Sequence, residues 1–294
     1  MNDLIEKANV LIEALPYFQS FRDEIVVVKF GGSAMEDPQH VEGVLEDVAF
    51  MECVGMKLVL VHGGGKAISR GMQADGIDSK FLHGLRVTCE RSINVVERVL
   101  KHDVNPRIVK MLKEKGAEAQ SLHGEEILHV TRKSGVDAAT GEKLDWGFVG
   151  EPGEVDTAPV MELLDKGIIP VITPLGMGPD GKMHNVNADV AAAAVAKALR
   201  ARKLAFLSDV PGLLRNPEDP GSLISTLKQS EIEWLIDEGV ISGGMLPKIK
   251  SCLAALEAGV RKVHMIDGRM QHSLLLEMFT DKGVGTEILR DDLG

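Results

Sequence analysis

Cysteine is scarce in this 294-residue chain: Cys53, Cys89 and Cys252 stand apart, with no Cys-x-x-Cys pair. That disfavours a disulfide frame or a thiolate zinc site. It fits thiols kept reduced in a cytosol, so a cytoplasmic location is expected. Basic residues are in deficit, 33 Lys and Arg against 44 Asp and Glu, for a net charge of −11. A nucleic-acid or anionic-membrane partner wants a basic surface and is therefore not expected. No apolar run approaches the roughly 20 residues of a membrane span. The N-terminus is not a signal peptide either, because Asp3, Glu6, Lys7 and Glu13 interrupt its apolar pattern. At this length the chain can form one α/β domain or two fused lobes.

What the chain does have is glycine at the ends of apolar runs. Val26-Val27-Val28-Lys29-Phe30 stops in Gly31-Gly32-Ser33, and Val59-Leu60-Val61-His62 stops in Gly63-Gly64-Gly65. Each run has strand length and is followed by a helical pattern. Glycine there lets the backbone turn and lets bare N–H groups approach a ligand. Lys29 adds a fixed positive charge beside them. Two such turns with a lysine suit an enzyme that handles phosphate or carboxylate groups. Neither turn is a Walker A loop or a Gly-x-Gly-x-x-Gly fingerprint, since Ala67 follows Lys66 and the upstream glycine is missing. A P-loop enzyme or a dehydrogenase is thereby disfavoured, and phosphoryl transfer on another frame is favoured. Taken singly, each turn is also compatible with a plain strand–helix connection.

Strands are expected near 25–30, 57–62, 168–173, 203–209 and 261–267. Helices are expected near 40–55, 66–75, 90–115, 157–166, 187–201, 229–238, 246–258 and 271–279. Runs apolar throughout, such as Ile168-Ile169-Pro170-Val171-Ile172 and Leu204-Ala205-Phe206-Leu207, predict a parallel sheet covered on both faces. Between about 120 and 155 short alternating runs predict hairpins. Ahead of the first strand, Leu4, Ile5, Ala8, Leu11, Ile12 and Leu15 recur at helical spacing over residues 3–15. Asn2 or Asp3 can cap that helix, and Pro16 is expected to end or kink it. It either folds back on its own domain or contacts another copy.

Three further elements complete the pattern. Asn185-Val186-Asn187-Ala188-Asp189 opens a helix; its polar side chains are caps or face a ligand. Ser208-Asp209-Val210-Pro211-Gly212-Leu213 is a strand end and turn suited to nucleotide contact. Gly243-Gly244-Met245-Leu246-Pro247-Lys248 opens a helix with a lysine at the positive end of the dipole, where it adds nothing to helix stability and suggests an anion nearby. With His62-Gly63-Gly64-Gly65 and Gly84-Leu85-Arg86-Val87-Thr88, these elements resemble the amino-acid kinase superfamily over residues 24–290, and most closely its N-acetylglutamate kinases of the arginine-sensitive type. The pair formed by Gly84–Thr88 and Asn185–Asp189 is the more discriminating part of the resemblance.

The resemblance implies an αβα sandwich of three layers around a central, mainly parallel sheet, with an extra N-terminal helix. It implies a regulatory helix over 1–22, an amino-acid lobe over 23–178 and an ATP lobe over 179–294. Lys29 and Lys248 would flank the transferred phosphoryl group, and Asp189 would hold both lysines. Gly64, Gly65, Arg86 and Asn185 would bind N-acetyl-L-glutamate, with Arg86 gripping a carboxylate bidentately. Gly31, Gly32, Ser208, Asp209, Gly212 and Met245 would lie against ATP, whose phosphates would carry Mg²⁺. A carboxylate acceptor is already ionised at pH 7, so no catalytic base is required, and His62 is read as a structural strand-end residue. Tyr17, His264, Glu277, Gly283 and Gly285 resemble an arginine-binding segment. Glu277 would pair the guanidinium of an L-arginine effector, unless it is simply a solvated helix residue. Helices 1–22 would interlace dimers of this homo-oligomer into a hexamer.

Overall fold

The computed structural model describes residues 2–137, 140–243, 245–280 and 282–293. The side chains of Asn2 and Asp3, and Gly244 with the Pro247 side chain, lie outside the described set. The chain runs α1 (Asn2–Phe21), β1 (Ile25–Phe30), α2 (Pro38–Cys53), β2 (Lys57–His62), α3 (Gly65–Ala74), β3 (Phe81–Leu82), β4 (Leu85–Arg86), α4 (Glu90–Arg98), α5 (Asn105–Glu114) and β5 (Ala119–Leu122). It continues through β6 (Leu128–Val136), β7 (Lys143–Val155), α6 (Ala158–Asp165), β8 (Ile169–Ile172), β9 (Leu175–Met177), β10 (Met183–Val186), α7 (Ala188–Ala198) and β11 (Lys203–Ser208). The last elements are β12 (Thr226–Lys228), α8 (Ile232–Asp237), α9 (Met245–Glu257), β13 (Lys262–Asp267), α10 (Ser273–Phe279) and β14 (Thr286–Leu289). A π-helical stretch, Val99–Val104, joins α4 to α5.

Eight strands form the main sheet in the order β12-β14-β13-β11-β1-β2-β8-β5, parallel except between β13 and β14. The period of two along each strand splits the core into two faces. Val26, Val28 and Phe30 of β1 pack into one apolar cluster and Val27 into the other, all fully buried. Each such side chain contributes about 1.5–3 kcal/mol relative to exposure. Lys29 shares the face of Val27. The alanines of α7, Ala191, Ala192, Ala193 and Ala196, let that helix lie close against β1 and α9.

Chain order reverses direction at β1: β2, β8 and β5 extend on one side, β11 and β13 on the other. A sheet of this kind offers its crevice beyond the carboxyl ends of the strands at that switch point. Lys29, His62, Ser208 and Asp267 all stand at those ends. Above the crevice, the hairpin expected over 120–155 is β6 and β7, which close a four-stranded ring with β9 and β10.

Two of the alternatives left open for the N-terminal helix are not taken. Pro16 does not end α1, which continues to Phe21. The bond lost at Pro16 belongs to the carbonyl of Ile12, a residue 68% exposed, where water can take it. Nor does the helix fold back along its apolar stripe: Leu4, Ile5, Leu11, Ile12 and Leu15 are exposed, and only its end packs on the domain. There Phe18 meets Phe50 and Phe279 edge to face, with centroids 5.9 and 5.1 Å apart.

Candidate active site

The two glycine turns meet. The Gly63 N–H donates to the Phe30 carbonyl at 2.7 Å, and a Cβ on Gly63 would stand 3.2 Å from the Gly31 Cα. The Lys29 side chain folds over Gly31, where a Cβ would lie 2.7 Å from Nζ. Gly32 turns at φ +71°, the left-handed region that glycine enters without penalty. Gly64 and Gly65 begin α3, whose first-turn N–H groups have no intrahelical acceptor. These groups line an open cleft of 360 Å³, together with Arg86, Asn185 and Asp189.

Lys29 Nζ lies 2.8 Å from Asp189 Oδ1, an ion pair at the first turn of α7. Asn187 is the cap of that helix: its Oδ1 accepts from the N–H of Asp189 and of Val190. Lys248 does not pair with Asp189, the role the family resemblance implies for that carboxylate. Its Nζ donates to Asp209 Oδ1 at 3.0 Å, and Ser33 Oγ donates to the other oxygen at 3.2 Å. The Lys248 bond holds the Asp209 carboxyl below the usual range. Both lysines and Asp189 nonetheless border one small cavity of 20 Å³, together with Ser208 and Cys252. Asp189 thus stands between the two cations with only one bound.

Arg86 is buried, 7% exposed. Its Nη1 donates to Ser79 Oγ at 2.7 Å and Met72 Sδ at 3.3 Å; its Nη2 donates to the Gly65 carbonyl and Ser69 Oγ, each at 2.8 Å. Phe81 covers its face at 4.8 Å. No carboxylate pairs with it among the described residues, and burial pulls its pKa down. A buried cation without a counter-ion at a cleft wall calls for an anionic ligand. Since both Nη atoms are already engaged, a bidentate carboxylate must displace a serine hydroxyl or the thioether. Ser69 and Ser79 were missed in the sequence; isolated serines between unrelated elements carry no signal there. Asn185 Nδ2 donates to Thr88 Oγ1 at 3.3 Å, tying β10 to the residues after β4.

Among the other expected nucleotide residues, Gly212 is needed for packing. At φ +136° a Cβ would meet Thr286 Oγ1 at 2.6 Å. Met245 leans on the second apolar cluster. Of the expected effector residues, His264, Glu277, Gly283 and Gly285 come together. His264 Nδ1 lies 2.6 Å from Glu277 Oε1, and Glu277 Oε2 accepts from the N–H of Val284 and of Gly285 at 2.8 Å. Glu277 is therefore buried, not a solvated helix residue. Burial raises its pKa, but the His264 bond and the two backbone donors outweigh that and hold it ionised. Gly283, at φ +61°, passes so close that a Cβ would clash with Glu277 at 2.5 Å. Tyr17 packs at the edge of the first cluster.

Residues 24–267 match the amino acid kinase family. An acetylglutamate kinase of Heliobacterium modesticaldum is 46% identical over 291 residues, 97% of this chain and 99% of the relative. Two solved structures of N-acetylglutamate synthase from Neisseria gonorrhoeae are also similar. One, complexed with coenzyme A and N-acetyl-glutamate, is 30% identical with a TM-score of 0.83 over 96% of this chain. The other, complexed with coenzyme A and L-arginine, is 28% identical with a TM-score of 0.78 over 94%. This chain spans only 63% and 64% of those synthase chains, but nearly the whole length of the kinase relative. With the glycine turns, the lysine–aspartate pair and the buried arginine all on one cleft, the chain belongs to the amino acid kinase family and is a kinase.

Proposed function

We propose that the chain transfers the γ-phosphoryl group of ATP to the γ-carboxylate of N-acetyl-L-glutamate, giving N-acetyl-L-glutamyl 5-phosphate in arginine biosynthesis. The observation that carries this is Arg86: a buried guanidinium without a counter-ion, on the same cleft as Lys29 and the Gly64 and Gly65 N–H groups. The acceptor needs no base, because a carboxylate is ionised at neutral pH. One of its oxygens attacks the γ-phosphorus, the bond to the β,γ-bridging oxygen breaks, and ADP leaves. The obstacle is anion meeting anion. Lys29, fixed by Asp189, and Lys248, fixed by Asp209, supply positive charge that is ordered before the reaction begins. Mg²⁺ enters on the phosphates of ATP; among the described residues no three His, Cys, Asp or Glu side chains cluster to hold a metal.

A division into an amino-acid lobe and an ATP lobe is proposed on either side of the switch point in the sheet. Residues 23–178 supply β1, β2, β8 and β5 for the amino acid, and 179–294 supply β11, β13, β14 and β12 for the nucleotide.

L-arginine is proposed as a feedback inhibitor at Glu277. Its support is the joining of α1 to α10 through Phe18, Phe21 and Phe279, and the L-arginine complex of the similar synthase. The exposed apolar stripe of α1 suits contact with another copy in a hexamer. ATP turnover with hydroxylamine trapping tests both parts. Hydroxamate is expected from N-acetyl-L-glutamate, not from L-glutamate or L-aspartate, and arginine should suppress it. Product from an unacetylated amino acid would move the assignment to a sister kinase. Deleting residues 1–22 should abolish inhibition and shrink the particle to a dimer; inhibition that survives would refute the regulatory part.

A further inference from the structure

His62 ends β2 immediately before the glycine turn, and nothing in the phosphoryl-transfer reading uses it. It is fully buried and does not line the cleft. Its partners nevertheless fix where its proton sits. Asn105, the first residue of α5 after the π-helical stretch, donates through Nδ2 to the Val171 carbonyl at 2.8 Å, and the same nitrogen lies 3.1 Å from His62 Nε2. A carbonyl only accepts, so the group beside it is the amide nitrogen. Its second hydrogen goes to Nε2, which must be bare. The ring proton is then on Nδ1, donated to the Gly63 carbonyl at 2.8 Å. A charged ring would set Nε2–H against the amide hydrogens. Burial opposes that charge too, lowering the pKa of His62 to about 4.

Gly63 is consequently held at both ends, its N–H by Phe30 and its carbonyl by His62. In a trans peptide the carbonyl and the following N–H point in opposite directions, and no peptide is cis among the described residues. With the Gly63 carbonyl drawn toward His62, the Gly64 N–H is aimed the other way, and nothing among the described residues accepts from it. Leu100, on the π-helical stretch, packs where a Gly64 Cβ would stand, 2.6 Å from its Cδ2. We propose that His62, locked in one tautomer by Asn105, is a positioning residue that clamps the Gly63–Gly64 peptide and aims the Gly64 N–H at the oxygens crowded between the acceptor carboxylate and ATP. This rests on the phosphoryl-transfer reading of the cleft.

The test compares two substitutions in the full chain by the hydroxamate assay. His62→Asn puts an amide N–H near the place of Nδ1 and restores the donor to Gly63. His62→Gln offers an acceptor toward Asn105 but carries its amide past Gly63. The Gln variant should lose about 10–100-fold in kcat, the scale for misplacing one preorganised donor, with KM for ATP little changed. The Asn variant should recover most of that loss. Equal kcat in the two variants, or an effect confined to Tm, overturns the clamp. Should either variant fail to fold, ¹⁵N-histidine NMR of the unaltered protein at pH 7 decides instead. A neutral His62 ring protonated at Nδ1 is required, and an Nε2–H ring or an imidazolium rules the proposal out. An unaltered protein that makes no hydroxamate counts against the substrate reading, and the tautomer measurement then judges the clamp by itself.

Discussion

Lys29→Met separates what a charge does for the fold from what it does for the reaction. Methionine keeps the length and apolar stem of the lysine but removes the cation that leans over Gly31 and pairs with Asp189. Removing one preorganised donor from a site of this kind costs about 10²–10³ in kcat, equivalent to about 3–4 kcal/mol. The fold should suffer much less. The Lys29 and Asp189 side chains are 12% and 25% exposed, so the stranded carboxylate keeps part of its hydration. Its cost falls well below that of a fully buried broken pair, at about 1 kcal/mol, or about 2–4 °C in Tm for a chain of this size. A second substitution, Asp189→Asn, made in the Lys29→Met background, removes the stranded charge. Tm should return toward the original value while kcat stays low. The measurements are hydroxamate formation at saturating substrates and a thermal melt on the same preparations. If kcat of the single variant stays within a few-fold of the original, or if the double variant regains it, Lys29 is a structural cation and the catalytic argument fails.

Arg86→Lys should raise KM for N-acetyl-L-glutamate by about 10–100-fold with less effect on kcat, because one ammonium cannot reproduce a planar fork against a carboxylate; initial rates against substrate concentration check this. Asp209→Asn should leave Tm nearly unchanged, since its pair with Lys248 is 31% and 46% exposed and such pairs contribute under about 1 kcal/mol. Its kcat should fall about 10-fold as Lys248 loses its anchor. Acid should weaken the fold through His62. Its pKa falls from 6.5 to about 4 on folding, so the unfolded chain binds more protons in that window. The stability this gives is complete above pH 6.5 and is lost as pH drops toward 4, by about 3 kcal/mol for this group. Buried His264 acts in the same direction. Urea midpoints from pH 7 to 4 should therefore fall more steeply in the unaltered protein than in His62→Asn.

The central strands were legible because strands covered on both faces, such as Val26–Val28 or Leu204–Leu207, read as unbroken apolar runs. Edge strands did not. In the edge strand β5, Ala119-Gln120-Ser121-Leu122, polar residues occupy half the positions, and the other edge, β12, is short and mixed in the same way, as is its neighbour β14. Periodicity alone left open whether α1 ends at Pro16, because proline's penalty depends on whether water reaches the orphaned carbonyl, which a sequence does not record. At the site, the glycine turns and helix starts were legible from local chemistry, whereas Arg86 entered only with the family resemblance; Lys29, Gly64, Gly65, Arg86, Asn185 and Asp189 do share one cleft. Pairing across the sheet was not. Lys248 has two carboxylates within reach of its helix start, and only side-chain geometry selects Asp209 over Asp189. The burial of Glu277 was equally invisible, since its donors come from a loop whose path depends on Gly283 and Gly285.

The switch point that places the cleft has a consequence for how the chain matures. Val28 of β1 stands beside Ala205 of β11, so the first core strand waits for a partner synthesised more than half a chain later. Pairings between residues so distant in sequence close large loops and form slowly. Lys29, Arg86, Asp189 and Lys248 are strung along that same separation, so a nascent or half-folded chain cannot assemble the charges that activate ATP. Recovery of kinase activity during refolding would then mark completion of the central sheet, well after helix content has returned.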